Sequence, residues 1–253
     1  MATLREIDRR RKSIKNTAKV THAMELIAAA KMRKAQEKAL LSRPYTITLH
    51  QITASIRGKA REKAYRLLSP NPTGNQMIIL LSSDRGLVGG LNLNLFREVG
   101  KFDIRVLKLV TVGKKATRFA TRMGFPLLAS FHSEEIPFLE LARTLSKLAI
   151  DSYLSGEVAS CYLLYPNFVS TIKQTPTITR LLPIDLEDIR ESGYQVVGKP
   201  DNLIAQQAGD LLFEPSPDYI LEKILHNHVL TKIYQALLEA KASEHRARMV
   251  AMK

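Results

Sequence analysis

The sequence predicts an α/β protein in which a long antiparallel coiled coil of N- and C-terminal helices carries a central α/β domain. Three observations support this. Stepping by threes and fours from Leu4 gives Leu4, Ile7, Arg11, Ile14, Ala18, Thr21, Glu25, Ala28, Met32, Ala35 and Ala39, an unbroken heptad seam with eight of eleven residues apolar. The same stepping returns near the other end in Val229, Ile233, Ala236, Ala240, Ser243, Ala247 and Val250, six of seven apolar. Between the seams, short apolar runs alternate with helical stretches, the grammar of strand–helix–strand units. Two matching seams pair most simply as antiparallel neighbours with the globular part at one end.

Residues 1–68 are read as the N-terminal coiled-coil helix. Its seam is richer in alanine than in leucine, so a partner must approach closely and each contact buries little area. The stretch Ala23–Ala30 is apolar nearly all round, which predicts enclosure by more than one partner. Helical spacing continues past Pro44, where the missing backbone donor should bend or loosen the helix. To residue 57 such a helix spans roughly 80 Å at about 1.5 Å per residue. The run Ser69-Pro70-Asn71-Pro72-Thr73-Gly74-Asn75 then marks a boundary.

Residues 75–212 are read as the central domain. Met77–Leu81 is a short apolar run expected to be a buried strand, ending in a glycine-rich turn over Ser82–Asn92. A helix is expected from Asn92 or Asn94, a strand over Arg105–Val112 and a helix over Lys114–Met123. A third helix over 137–155 and a strand over Val158–Tyr165 follow. Phe168–Leu182 is rich in Thr and Ile and reads as extended, and 183–212 as irregular or hairpin-like. Residues 213–253 form the C-terminal coiled-coil segment, helical from Pro217.

Composition narrows the partners. Formal net charge is +14, and residues 1–43 carry twelve Lys or Arg against four Asp or Glu, so acidic partners are expected. Those residues contain no Phe, Tyr or Trp to stack on bases, which favours an acidic protein surface over nucleic acid. A basic coiled-coil nucleic-acid binder is the alternative, and a dinucleotide-dependent enzyme a third reading. One cysteine, Cys161, excludes an internal disulfide and suggests a reducing compartment; its apolar run predicts a buried thiol. No apolar run approaches the eighteen residues of a membrane span, and the basic, amphipathic N-terminus reads as mature structure because the heptads run through it.

Motifs for chemistry fail one by one. Gly86, Gly89 and Gly90 do not space as G-x-G-x-x-G, and Gly113-Lys114 lacks the glycine before and the Ser or Thr after that a phosphate loop needs. These glycines are read as a tight turn and close strand–helix packing. Histidines 22, 50, 132, 226, 228 and 245 show no metal spacing, and the acidic cluster Asp185, Glu187, Asp188 and Glu191 reads as a solvated loop. No catalytic, cofactor-binding or metal set is assigned.

Three stretches nevertheless carry a resemblance: Ile14–Thr17 through Ala23–Gln36 (IKNT, AMELIAAAKMRKAQ); Ser83–Asn92 with Asn94–Phe96 (SDRGLVGGLN, NLF); and Tyr234–Glu239 through Ala247–Lys253 (YQALLE, SEH, ARMVAMK). Tyr153–Glu157 and Phe168–Ile172 extend it. In order and over the whole chain these resemble the gamma subunit of the F-type, proton-translocating ATP synthase. The resemblance implies a central rotor stalk: an antiparallel coiled coil inside a hexamer of alpha and beta subunits, with a Rossmann-like domain beside the c-subunit membrane ring and the epsilon subunit. Proton flow would turn ring and shaft, and the shaft would drive ATP synthesis on beta, with no cofactor or catalytic site in this chain. It implies a rotor–stator contact zone at Met24, Lys31, Arg33, Lys34 and Arg248, and a foot contact with epsilon and the ring at Glu214. It also implies peripheral attachment to the cytoplasmic face of a bacterial plasma membrane. Family members continue past Lys253 with further helix, so roughly the first twenty residues are expected to lack a partner helix and fray. Val88 stands where many relatives have cysteine, so thiol regulation of the photosynthetic kind is not expected.

Overall fold

A computed structural model describes residues 4–56, 65–133, 135–168, 174–185 and 214–253. Helix α1 (Leu4–Ile56) is followed by strand β1 (Asn75–Leu81), helix α2 (Leu91–Val99), strand β2 (Leu107–Val112) and helix α3 (Lys114–Met123). Then come strand β3 (Leu127–Phe131), helix α4 (Phe138–Leu154), strands β4 (Val158–Phe168) and β5 (Gln174–Leu182), and helix α5 (Pro217–Met252). The five strands form one sheet in the order β3-β2-β1-β4-β5, parallel except for antiparallel β5. This is the expected α/β architecture with long flanking helices.

The two-residue period of β1 explains the layering. Met77, Ile79 and Leu81 point into a core shared with α4, β4 and α5, while Ile78 and Leu80 meet Leu95 and Val99 of α2 and Ala116 and Ala120 of α3. Both faces are covered, so the strand reads as a continuous apolar run. Alanines on α3 let that helix lie close to the sheet. Cys161 is buried, and burial raises its thiol pKa to about 12, as the apolar context predicts.

Helix α1 runs 53 residues through Pro44 without interruption, about 80 Å at 1.5 Å per residue. It does not reach residue 68: residues 66–68 form turns, with Leu68 donating to the Tyr65 carbonyl. The Pro-rich linker is stitched down instead. Tyr65 donates to Asp218 at the start of α5, Ile184 N–H to the Leu67 carbonyl, Asn71 to the carbonyls of Tyr153 and Val158, and Tyr153 to the Ser69 carbonyl. A boundary in sequence is a set of rivets in space.

Two further expectations are corrected. Strand β3 has no counterpart in the sequence reading; at five residues on a sheet edge, half exposed, it carries neither alternation nor a buried run. Strand β2 starts at Leu107, because Asp103 holds Arg105 N–H and its guanidinium in a turn that closes at Val106. Within this chain the Ala23–Ala30 stretch is covered on one side: Ala28 is 2 % exposed, whereas Leu26 and Ile27 are 59 % and 56 % exposed. Residues 4–20 form regular helix and are all exposed. Most of the 183–212 segment, with Glu187, Asp188 and Glu191, lies outside the described residues.

Helix α5 is more than a coiled-coil arm. Ser216 caps it by accepting the Tyr219 N–H, and Pro217 takes a first-turn position where no donor is needed. Leu221, Leu225, Val229, Ile233, Ala236 and Leu237 belong to the main core, which Leu49 of α1 joins, while Ala247 nearer the other end packs on Val88 and Leu91.

Gly113 enters α3 with φ of +100°, and a Cβ there would sit 2.3 Å from the Ser82 carbonyl oxygen. Gly113→Ala is therefore expected to lower unfolding free energy by about 2–4 kcal/mol. Chemical denaturation of the purified chain checks this, and Gly89→Ala, whose Cβ meets nothing within 4 Å, serves as the φ-only control.

Candidate functional site

The distinctive surface is the shaft. Every Lys and Arg of α1 from Arg5 to Lys38 is exposed, including Lys31, Arg33 and Lys34. Seam residues Ala28 and Ala35 are buried against α5, with Thr21, Glu25 and Met32 half-buried beside them, so the heptad register holds from Thr21 to Ala35. Met24 is half-buried at the edge of this contact. The outward face thus mixes cations with large apolar side chains: Val20, Leu26, Ile27, Leu40 and Leu41. Exposed large apolar side chains repeated along a basic helix suit an interface better than a solvated face.

At the far end of α5 a buried charge cluster ties the shaft to the sheet. Glu244, 4 % exposed, accepts from Lys241 Nζ at 2.9 Å and Arg248 Nη2 at 2.8 Å. Arg248 also reaches the Gly86 carbonyl at 3.4 Å, and Val88 and Leu91 bury against Ala247 nearby. So the glycine-rich turn, read as packing geometry from sequence, grips the shaft helix. Next to Glu244, burial depresses His245 to about 4; Glu244 opposes the shift and Lys241, Arg248 and Lys31 of α1 add to it. Ser243 is fully buried and its hydroxyl has no hydrogen-bond partner among the described residues.

Asp84 lies in the same turn, buried. Its carboxylate accepts Lys114 N–H at 3.0 Å and the Ser133 hydroxyl at 2.6 Å. Burial alone would raise its pKa, but these two bonds, with Lys241 and His132 nearby, hold it below the usual carboxylate range.

Of the residues singled out by resemblance, Lys31 and Arg248 converge on His245, Arg33 and Lys34 face solvent, and Glu214 is exposed just before α5 at the opposite end. Arg248 is largely committed within the chain. Sequence reasoning missed Glu244 and Asp84. Glu244 had a signal, Lys and Arg at i−3 and i+4 on a helix. Asp84 had none, since its partners lie 30 and 49 residues away. No cluster of metal-ligating side chains, and no helix apolar enough to cross a membrane, occurs among the described residues.

Comparison with known proteins gives a consistent result. A family model described as ATP synthase matches residues 3–253. The ATP synthase gamma chain of Opitutus terrae is 38 % identical over 255 residues, covering 100 % of this chain and 86 % of that one. That of Variovorax paradoxus is 36 % identical over 262 residues with the same coverage. Among solved structures, the central stalk and c-ring of Tetrahymena thermophila mitochondrial ATP synthase aligns with a TM-score of 0.65 at 21 % identity, covering 92 % of this chain and 97 % of that one. The rotor of Euglena gracilis mitochondrial ATP synthase aligns at 0.58 and 16 %, covering 96 % and 87 %.

Neighbouring substitutions should act in opposite directions. Glu244→Ala strands two cations and is expected to cost about 3 kcal/mol of stability. Ser243→Ala removes an unpaired buried hydroxyl and is expected to add about 1 kcal/mol. Denaturant melts of both variants test the pair.

The His245 shift sets a pH window. Above pH 6.5 the residue is neutral in folded and unfolded chains alike. Between 6.5 and about 4 the unfolded chain takes up a proton the folded one refuses, so stability falls as pH falls. His245→Gln is expected to flatten unfolding midpoints across that window, with carboxylate titration left below it.

Proposed function

This chain belongs to the ATP synthase gamma-chain family, and from that membership we propose that it is the central rotor stalk of an F-type ATP synthase, transmitting rotation rather than catalysing. The observation that carries the proposal is the continuity of α5, one unbroken helix that is core of the α/β domain over its first half and packs on the shaft helix α1. A twist applied to the sheet domain passes into the shaft along a single hydrogen-bonded rod, with no flexible joint between them.

In this reading the shaft stands within the hexamer of alpha and beta subunits, and the α/β domain meets epsilon and the c-subunit ring. Acidic loops of beta bear on the outward cations Lys31, Arg33 and Lys34, with Met24 and Arg248 in the same contact zone. Leu26 and Ile27, left open by the chain itself, add apolar area to that bearing. Glu214 belongs to the foot. Proton flow turns the ring; beta makes ATP; this chain needs no cofactor. The working division is a helical arm over 1–68, an α/β domain over 75–212 and a second arm over 213–253. Such a protein attaches peripherally to the cytoplasmic face of the energy-transducing membrane, without a span of its own. The nucleic-acid alternative gains nothing from the relatives named above, which are gamma chains.

Co-expression with its source's alpha and beta subunits tests the proposal. The expected outcome is a stable assembly with rotation-coupled ATP hydrolysis, in which Lys31→Glu, Arg33→Glu and Lys34→Glu together cut turnover severalfold while assembly persists. Failure to assemble, with salt-sensitive DNA or RNA binding by the chain, would overturn it in favour of the alternative.

A further inference from the structure

Open α/β sheets bind ligands outside the carboxyl ends of their strands where strand order reverses, with phosphates on a helix N-terminus. In this sheet the reversal lies at β1, flanked by β2 and β4. Helix α3 begins beside the carboxyl end of β1 and has no capping side chain of its own. Its first three amides are nevertheless all engaged, and by three consecutive residues of the turn after β1. Lys114 N–H donates to Asp84 Oδ1 at 3.0 Å, Lys115 N–H to the Ser83 carbonyl at 3.2 Å, and Ala116 N–H to Ser82 Oγ at 2.9 Å. The second Asp84 oxygen takes the Ser133 hydroxyl from the connection between β3 and α4. One carboxylate therefore joins three separate strand–helix connections. Over the same edge lies α5, with Arg248 on the Gly86 carbonyl and Ala247 packed on Val88 and Leu91.

We propose that Asp84 is a resident anion: its carboxylate takes the place a bound anion would have at the N-terminus of α3, on the carboxyl edge of this sheet, and so fixes the turn that seats α5. Asp84 is a positioning residue. It closes the N-terminus of α3 with a charge the helix dipole favours and gives the glycine-rich turn the fixed shape that Arg248 and Ala247 grip. The failed phosphate-loop pattern at Gly113-Lys114 then has a physical counterpart, since the first amides of α3 are already satisfied. The inference concerns the folded chain alone and stands apart from whether that chain rotates.

The test uses the full-length chain and amide hydrogen exchange, with sodium formate as the probe and sodium chloride at equal ionic strength as the control. Asp84→Ala opens a space the size of a carboxylate, and Asp84→Asn keeps the volume but removes the charge. In the alanine variant, exchange is expected to rise by about tenfold or more in two separated segments, 113–117 and 241–249. Formate at tens of millimolar should restore at least half of that protection through mass action on the folded state, whereas chloride should not. The wild type and the asparagine variant, with no vacancy to fill, should ignore formate. Faster exchange confined to 113–117 would reduce Asp84 to a local cap and overturn the proposal, as would equal effects of formate and chloride. Should the alanine variant fail to fold without formate, Asp84→Asn carries the exchange readout over the same two segments. A rise spanning both segments supports the seat, and one limited to α3 removes it.

Discussion

The structure depends on burying one helix from two sides. Helix α5 presents Leu221, Leu225, Val229 and Ile233 to the sheet and α4, and Ala236, Ser243 and Ala247 toward α1 and the glycine-rich turn. A helix covered on most of its circumference shows little amphipathic bias, which is why its apolar residues fall on more than one face. Because the same hydrogen-bonded rod is core at one end and shaft at the other, the α/β domain and the coiled coil cannot be separated without exposing the main core. The small residues of the seam add little apolar area each. What they provide is close approach, so the long pair behaves as one object.

Polar groups decide how that object is oriented. Glu244 is buried among Lys241 and Arg248, and the arginine reaches across to the turn after β1. Asp84 does the same for the loops on the sheet edge. The Glu244 pairs lie within α5 and would travel with it, so they hold the arginine in place, and the arginine's reach to the Gly86 carbonyl is the polar contact that opposes a slide of the helix. Burial keeps His245 neutral with three cations nearby, which shows how crowded that setting is. Adhesion rests on the apolar majority.

Much of the architecture was legible in the residues. Helix α3 appears with the bounds its capping glycines suggest, since Gly113 and Gly124 both take backbone conformations that other residues avoid. Strand β1 announced itself through an unbroken apolar run, and the heptads of α1 through their steps. Strand β3 did not, being short and at an edge, and neither did the tie-downs of the linker, whose partners Asp218, Tyr153 and Ile184 are distant in sequence. The run Ala23–Ala30 is apolar nearly all round, and this chain covers one side of it, leaving Leu26 and Ile27 open.

By itself the sequence determined the periodicities, and with them which residues are helix, which are strand and which seam is basic outside and small inside, because these follow from local spacing and side-chain chemistry. Family membership was also readable there, in long motifs kept in order. Only the tertiary structure decided that α5 serves both parts, that the glycine-rich turn grips Arg248, and that Asp84 caps a helix thirty residues away. Those outcomes depend on which distant groups meet in a dry interior, and a contact between separated residues leaves no period in the chain to read.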